Sequence, residues 1–435
     1  MTLISAPDFA LPRSSIRNRA TRLRRVPRVL EAAGRRLVTL ALSRLTGRGV
    51  RVIDEQGNVI VEPASGQPVA TVRVSDPAFY ASVAFGGSIG AAESYMDGAW
   101  TTDDLSALIE ALTVNLSAMN AIEGPIARLL APLSSAAYWL DRNTRSGSRR
   151  NIVAHYDLGN DFFRLFLDPT MTYSCGIFKD ATTTLEQAQV EKIDRACRKL
   201  CLRPSDHLLE IGTGWGALAV HAASRNGCRV TTTTISDEQH LLADRRVREA
   251  GLADRVTVMK ADYRDIRGEF DKIVSIEMLE AVGAENFHTY FKSCAGLLRP
   301  DGAALIQSIV IRDQFFREAA RRVDFLKKYI FPGSCLPSLA AMIESTSRFT
   351  DLRVWHVEDI GPHYVRTLQL WRDAFLTQRD AVQALGFDER FIRMWEYYLC
   401  YCEGAFRARH VGDVQVLFTK PMCRIPPVTG SGDSE

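Results

Sequence analysis

The 435-residue chain has no apolar run long enough to cross a bilayer. The stretch 37–45 is broken by Arg44, and no secretory signal is evident. Its nine cysteines (Cys175, Cys197, Cys201, Cys228, Cys294, Cys335, Cys400, Cys402 and Cys423) are odd in number and lack zinc-ligand spacing. That argues against a disulfide scaffold and against a metal site, and for a reducing compartment. Cys197 and Cys201 lie four apart on a helical pattern and are expected on one buried face. Acids are scarce at the start: the first fifty residues hold only Asp8 and Glu31 against Arg13, Arg17, Arg19, Arg22, Arg24, Arg25, Arg28, Arg35, Arg36, Arg44 and Arg48. Aromatic residues are not interleaved with these arginines and no nucleic-acid motif occurs elsewhere, so nucleic acid is not the expected partner. An anionic membrane surface is, because each basic residue near it contributes about 1 kcal/mol. A solvated tail and a targeting segment remain open for this arm.

What the chain does have is Leu208-Leu209-Glu210-Ile211-Gly212-Thr213-Gly214-Trp215-Gly216, an apolar strand pattern ending in an acid and a glycine turn before a helical pattern. Glycine lets backbone approach a ligand, and the helix start offers unpaired N–H groups. A dinucleotide fingerprint would place its third glycine later. Glycines on alternate positions after an acid follow instead the E/D-x-G-x-G-x-G pattern of S-adenosylmethionine-dependent methyltransferases. An ordinary strand-to-helix turn is the competing reading.

Further strands are expected at 229–234, 256–260, 271–276, 303–311 and 414–419, with helices at 237–251, 285–298, 364–385 and 388–409. Alternating strands and helices predict an α/β, doubly wound, mostly parallel sheet with ligands at the strands' carboxyl ends. Ser236 and Gln239 read as a capping box. Thr234 stands where a ribose-binding acid is usual, and 261–265 reads as an adenine-side loop. The organisation expected is a basic arm (1–49), a smaller α+β amino-terminal domain for lipid or membrane contact (50–140), a linker (141–150) carrying Arg142, Arg145, Arg149 and Arg150, a catalytic domain (151–421) and a flexible tail (422–435). Residues 314–337 and the helices 364–385 and 388–409 are expected to roof the site.

Several segments, in order, resemble the cyclopropane fatty acid synthase family: His155-Tyr156-Asp157-Leu158-Gly159-Asn160-Asp161-Phe162-Phe163, Tyr173-Ser174-Cys175-Gly176, the Glu210 loop, Thr234-Ile235-Ser236 with Gln239, Glu277-Met278-Leu279-Glu280-Ala281-Val282-Gly283, Tyr329-Ile330-Phe331-Pro332-Gly333 and Gly404-Ala405-Phe406-Arg407-Ala408-Arg409. The resemblance implies a Rossmann-like class I methyltransferase that moves the methyl of S-adenosylmethionine onto the cis double bond of a phospholipid acyl chain. The resulting cation then closes to a cyclopropane as a bound bicarbonate removes a proton. Carried over residue by residue, Cys175, Glu280, Gln307 and Tyr364 become catalytic residues. The same four with the Ile309 backbone become the bicarbonate ligands. Tyr173, Ser174, Glu210, Gly212, Gly214, Gly216, Thr234, Gln239, Tyr263 and Arg264 become cofactor contacts, with His155 and Asn160 organising a lid.

Aromatic faces can shelter a cation, and Tyr173, Phe178, Tyr329 and Phe331 are candidates. Many relatives have histidine where this chain has Gln307, and an amide cannot relay a proton. Loss of a different proton would give a methylene or methyl branch. A cofactor-binding protein without catalysis and a methyltransferase for a small polar molecule are further alternatives. A homodimer, cytoplasmic and peripheral to the inner membrane, completes the expectation.

Overall fold

In the computed structural model the described residues are 27–47, 49–63, 66–116 and 158–428. Residues 1–26 of the basic arm, the expected linker and His155 lie outside them.

The amino-terminal unit is a four-stranded sheet in the order β2-β1-β3-β4, from Val50–Ile53 (β1), Val59–Val61 (β2), Ala70–Val74 (β3) and Trp100–Thr102 (β4). β1 and β2 form a hairpin around Asp54, whose Oδ1 accepts the N–H groups of Gln56 (3.0 Å) and Asn58 (2.8 Å). The helix Arg28–Ser43 belongs to this unit, which corrects the expected boundary at 49. Val38, Ala41 and Leu42 are buried, and Gly34 comes so close to the helix Ala78–Met96 that a Cβ would meet the Tyr80 carbonyl oxygen at 2.7 Å. Arg35 lies over the Tyr80 ring and ties the helix to the β1–β2 turn through an ion pair with Asp54 at 2.5 Å.

The larger sheet has seven strands in the order β10-β11-β9-β8-β5-β6-β7. Its members are His207–Ile211 (β5), Arg229–Thr234 (β6), Val256–Lys260 (β7), Phe270–Ile276 (β8), Leu298–Ile311 (β9), Arg353–Asp359 (β10) and Val411–Thr419 (β11). Strands β5 to β9 pair in parallel, while β11 is antiparallel to β9 and β10 to β11. This is the doubly wound, mostly parallel α/β sheet that the alternating strands and helices led us to expect. Strand alternation divides its apolar residues between two faces. Leu209, Ile273, Ile306 and Phe418 pack with the helices Phe287–Leu297 and Leu339–Phe349, whereas Leu208, Val274, Leu305 and Leu417 pack with Leu185–Lys199 and Ala217–Asn226.

Three local expectations differ. β10 is an edge strand with mostly half-exposed residues, so it carries too weak an apolar pattern to be read from sequence. Cys201 stands beyond the helix that ends at Lys199, in a left-handed conformation (φ +50°), so it does not share a helical face with Cys197. The start of the tail is docked: Ile425 is buried and Trp355 Nε1 donates to the Pro426 carbonyl at 3.3 Å.

The two units share one aromatic core. Trp100, Leu105 and Ile109 join a cluster containing Phe162, Phe166, Trp371 and Trp395, the last two from the roof helices Gly361–Thr377 and Glu389–Arg407. At its edge the fully buried Glu403 accepts from Ser106 Oγ (2.7 Å), Arg372 (2.5 Å) and Gln369 (3.0 Å), and pairs with Arg407. Removing one member of a buried ion pair leaves the other uncompensated. Glu403→Ala is therefore expected to cost about 3 kcal/mol of unfolding free energy, read from urea denaturation, with Glu403→Gln costing less.

Candidate active site

The carboxyl ends of β5, β6, β8 and β9 open into one cavity of about 400 Å³. Its first end is the glycine turn. Gly212 (φ +99°) and Gly214 (φ +51°) line it in conformations that side chains disfavour, and a Cβ on Gly214 would meet no protein atom within 4 Å, only the cavity. Gly216 does not reach the cavity. Its left-handed cap (φ +89°) lets the helix Ala217–Asn226 approach Ala243, which a Cβ would meet at 3.2 Å. Glu210 accepts from Thr232 Oγ1 at 2.5 Å, and burial pushes its carboxyl up to about 8.

Trp215, which also lines the cavity, anchors the turn by donating through Nε1 to Asn160 Oδ1 at 2.6 Å. Arg246 holds the facing segment through the carbonyls of Pro169 (3.0 Å) and Thr170 (2.8 Å). Thr234 and Gln239 line the cavity, bonded to each other (Oγ1 to Oε1, 2.8 Å). That replaces half of the expected capping box: Ser236 Oγ still accepts from Gln239 N at 3.4 Å, but Ser236 N donates to Thr234 Oγ1. Tyr263 and Arg264 also line this end, with the guanidinium over the Tyr263 ring and bound to Asp262.

The other end is apolar and aromatic, lined by Leu326, Phe331, Tyr398, Tyr401, Phe406 and Val411. Tyr173 lies between the ends, its hydroxyl 2.7 Å from that of Tyr398. Of the other aromatic candidates, Phe331 faces the cavity, but Phe178 and Tyr329 do not. Phe178 lies under Arg366, and Tyr329 donates to Glu93 at 2.5 Å, tying the 325–329 helix to the amino-terminal unit.

Between the ends stands a cluster of acids of which sequence reading singled out only Glu280. Glu277 follows β8 directly with a left-handed backbone (φ +48°), which costs a non-glycine residue about 1–2 kcal/mol and marks a position held by its surroundings. Its Oε2 accepts from Tyr364 Oη at 2.6 Å, and its Oε1 accepts from Cys175 N at 2.8 Å and Gln307 Nε2 at 3.0 Å. Glu280 Oε1 takes the Ser308 hydroxyl (3.0 Å) and the Ile309 N–H, while its buried Oε2 has no partner. Burial, reinforced by Glu277, pushes Glu280 up to about 8. Burial and the same two neighbours push Asp413 well above the usual carboxyl range. Lys192, also buried, donates to Ser174 Oγ at 2.5 Å, and burial lowers its ammonium. Lys192 was detectable only as a lysine on the apolar face of the helix Leu185–Lys199, among Ala188, Ile193 and Ala196.

This arrangement does not fit the expected bicarbonate ligands. Tyr364 and the Cys175 amide already converge on Glu277. The Ile309 N–H is taken by Glu280. Gln307 is away from the cavity, its amide donating to Glu277 and to Asp413 (2.9 Å) while its oxygen accepts from Gln415 (3.0 Å). The Cys175 thiol also lies behind the wall, fully buried against the carbonyls of Gly176 and Ile360, and burial holds it as the thiol. An added anion would sit among carboxyl groups whose donors are already engaged.

The sheet order, the glycine turn and the continuous cavity can now be set beside known proteins. A profile of the mycolic acid cyclopropane synthetase family matches residues 143–416. The chain belongs to that family. It is 42% identical over 334 residues to the tuberculostearic acid methyltransferase of Mycobacterium tuberculosis, covering 75% of this chain and 77% of that one. Identity to the cyclopropane-fatty-acyl-phospholipid synthase of Escherichia coli is 38% over 359 residues, covering 82% and 89%. Among solved structures, a mycolic acid cyclopropane synthase complexed with SAH and CTAB superposes with a TM-score of 0.59 at 34% identity, covering 62% of this chain and 98% of that one. The chain is thus an S-adenosylmethionine-dependent methyltransferase of a family that modifies acyl chains.

Two predictions follow from this geometry. Gly214→Val places a branched side chain in the cavity at a left-handed position, and S-adenosylhomocysteine binding by calorimetry should weaken by at least about tenfold. Because Glu280 binds its proton more tightly folded (about 8) than its ordinary 4.5, its contribution to stability is complete below 4.5 and is lost as pH rises towards 8. Melting curves should show Glu280→Gln gaining on the wild type across that window.

Proposed function

We propose that the enzyme transfers the methyl carbon of S-adenosylmethionine to the cis double bond of an unsaturated phospholipid acyl chain and closes a cyclopropane ring. The observation that carries this reading is the continuity of one cavity from the glycine turn to an aromatic apolar end. The cosubstrate supplies an electrophilic methyl group, and the protein supplies position and shelter. Gly212, Gly214, Thr234, Gln239, Tyr263 and Arg264 would hold it, and this donor set fits, because Gly212 and Gly214 expose backbone rather than Cβ to the cavity. An alkene is a weak nucleophile, so holding it close and aligned supplies much of the rate. The faces of Tyr173, Tyr398 and Phe406 favour a positive centre over a neutral one and exclude water from it.

A bilayer is the proposed source of the acyl chain. Val29, Leu30, Leu37 and Leu40 are exposed on the helix Arg28–Ser43, the region where arginines outnumber acids, and a basic helix with an apolar face suits an anionic interface. No helix among the described residues is long and apolar enough to cross a membrane. A homodimer at the inner membrane remains part of this proposal.

The likeness to a tuberculostearic acid methyltransferase supports a second reading, in which the same cation, after a hydride shift, loses a methyl proton to give a methylene branch. A saturated methyl branch would need a further reductant and is not proposed. Incubation with methyl-labelled S-adenosylmethionine and vesicles of cis-monounsaturated phospholipid, followed by mass spectrometry and NMR, should yield a labelled cyclopropane. A labelled methylene would establish the second reading. Unlabelled lipid, with cofactor binding confirmed, would defeat both.

A further inference from the structure

We infer that Glu277 is the built-in base of this enzyme, its carboxylate occupying the place that the bicarbonate resemblance would give to a free anion. Three groups expected to grip that anion, the Tyr364 hydroxyl, the Gln307 amide and residue Cys175 through its backbone N–H, all turn to Glu277 instead, at 2.6, 3.0 and 2.8 Å. Glu277 itself is only half-buried and lines the cavity beside Tyr364, at the junction of the glycine turn and the aromatic end. The three donors fix the carboxylate in a single orientation, as a general base requires. The other acids are less suited to the task. Asp413 is fully buried and does not line the cavity, and Glu280 is buried and bound by the Ser308 hydroxyl and the Ile309 N–H, with burial and Glu277 raising its carboxyl to about 8.

The inference rests on the acyl methyl-transfer reading. In that reaction the alkene electron pair forms the new carbon–carbon bond to the methyl group, and the carbon–sulfur pair leaves with sulfur. The remaining carbon is positive. A C–H pair of the transferred methyl then closes the ring, and its proton goes to Glu277; no oxidant or reductant enters. In the methylene alternative the hydride shift comes first, and the same carboxylate takes the methyl proton.

The left-handed backbone at Glu277 suits glycine, so E277G should fold while emptying the anion position. The test has two arms on the full chain loaded with S-adenosylhomocysteine or S-adenosylmethionine. In the binding arm, calorimetric titration with bicarbonate should give no binding to the wild type and binding to E277G. This arm contains no lipid, so it decides the anion position whatever the lipid substrate proves to be. In the turnover arm, the wild type should keep its rate in bicarbonate-free buffer, and E277Q should lose at least about 100-fold in rate with unchanged S-adenosylhomocysteine affinity. Added bicarbonate should restore E277G at least about tenfold. Bicarbonate binding to the wild type, bicarbonate-dependent wild-type turnover, or an E277Q rate equal to the wild type would each overturn the inference. Absence of labelled lipid with the wild type would instead defeat the acyl-transfer reading.

Discussion

Carboxyl groups can stand beside an apolar cavity only when each is protonated or furnished with donors, because an isolated charge there is too costly. Glu210, Glu277, Glu280 and Asp413 meet that constraint around one buried lysine, Lys192, and the arrangement of the strand ends follows from it. β8 turns left-handed at Glu277 to aim its carboxylate at Tyr364. β9 offers Gln307, Ser308 and Ile309 in succession, the first and last committed to different acids. β11 supplies Asp413 and Gln415 to hold Gln307 in place. The antiparallel placement of β11 puts Gln415 opposite Gln307 in register, so the network is a property of the sheet.

The roof obeys a related constraint. Its helices must be apolar towards the cavity and still attach to the rest of the fold. Glu403 and its arginine partners do this on the outer side, while Phe162, Trp371 and Trp395 fill the space between. The amino-terminal unit is bound into the same structure. Ser106 reaches Glu403, Tyr95 donates to Glu396, and Glu93 receives Tyr329 from the segment that borders the cavity. Glu93 thus joins the helix Ala78–Met96 to the segment that borders the cavity. Gly87, whose dihedrals interrupt that helix, marks where it can bend.

In the proposed reaction, ring closure and branching would differ in whether a hydride shifts before a proton departs, and the position of the base would bear on that choice. A base carried on the chain has a fixed position, whereas a free anion brings its own equilibrium and its own orientation. The committed amide of Gln307 belongs with the former: it orients an acid and does not itself accept a proton.

The sequence by itself determined the parallel sheet, the glycine turn, the roof helices and the cofactor end, because these rest on local patterns. Alternation placed β5 to β9 within a few residues, and Gly212 and Gly214 were legible as backbone exposed to a ligand. Only the tertiary structure decided which acid the converging donors serve. Glu277 and Glu280 lie three residues apart in one motif, and nothing local separates them. The separation came from a left-handed φ and from partners about 30 to 136 positions away in sequence, Gln307 at 30, Tyr364 at 87, Cys175 at 102 and Asp413 at 136. Likewise Gly216, Phe178 and Tyr329 have the right residue types for a site and were diverted to packing by neighbours brought from other elements. Pattern reveals the elements because their hydrogen bonds and apolar faces are periodic along the chain. A buried polar network is settled by which donors remain unpaired once distant strands have met.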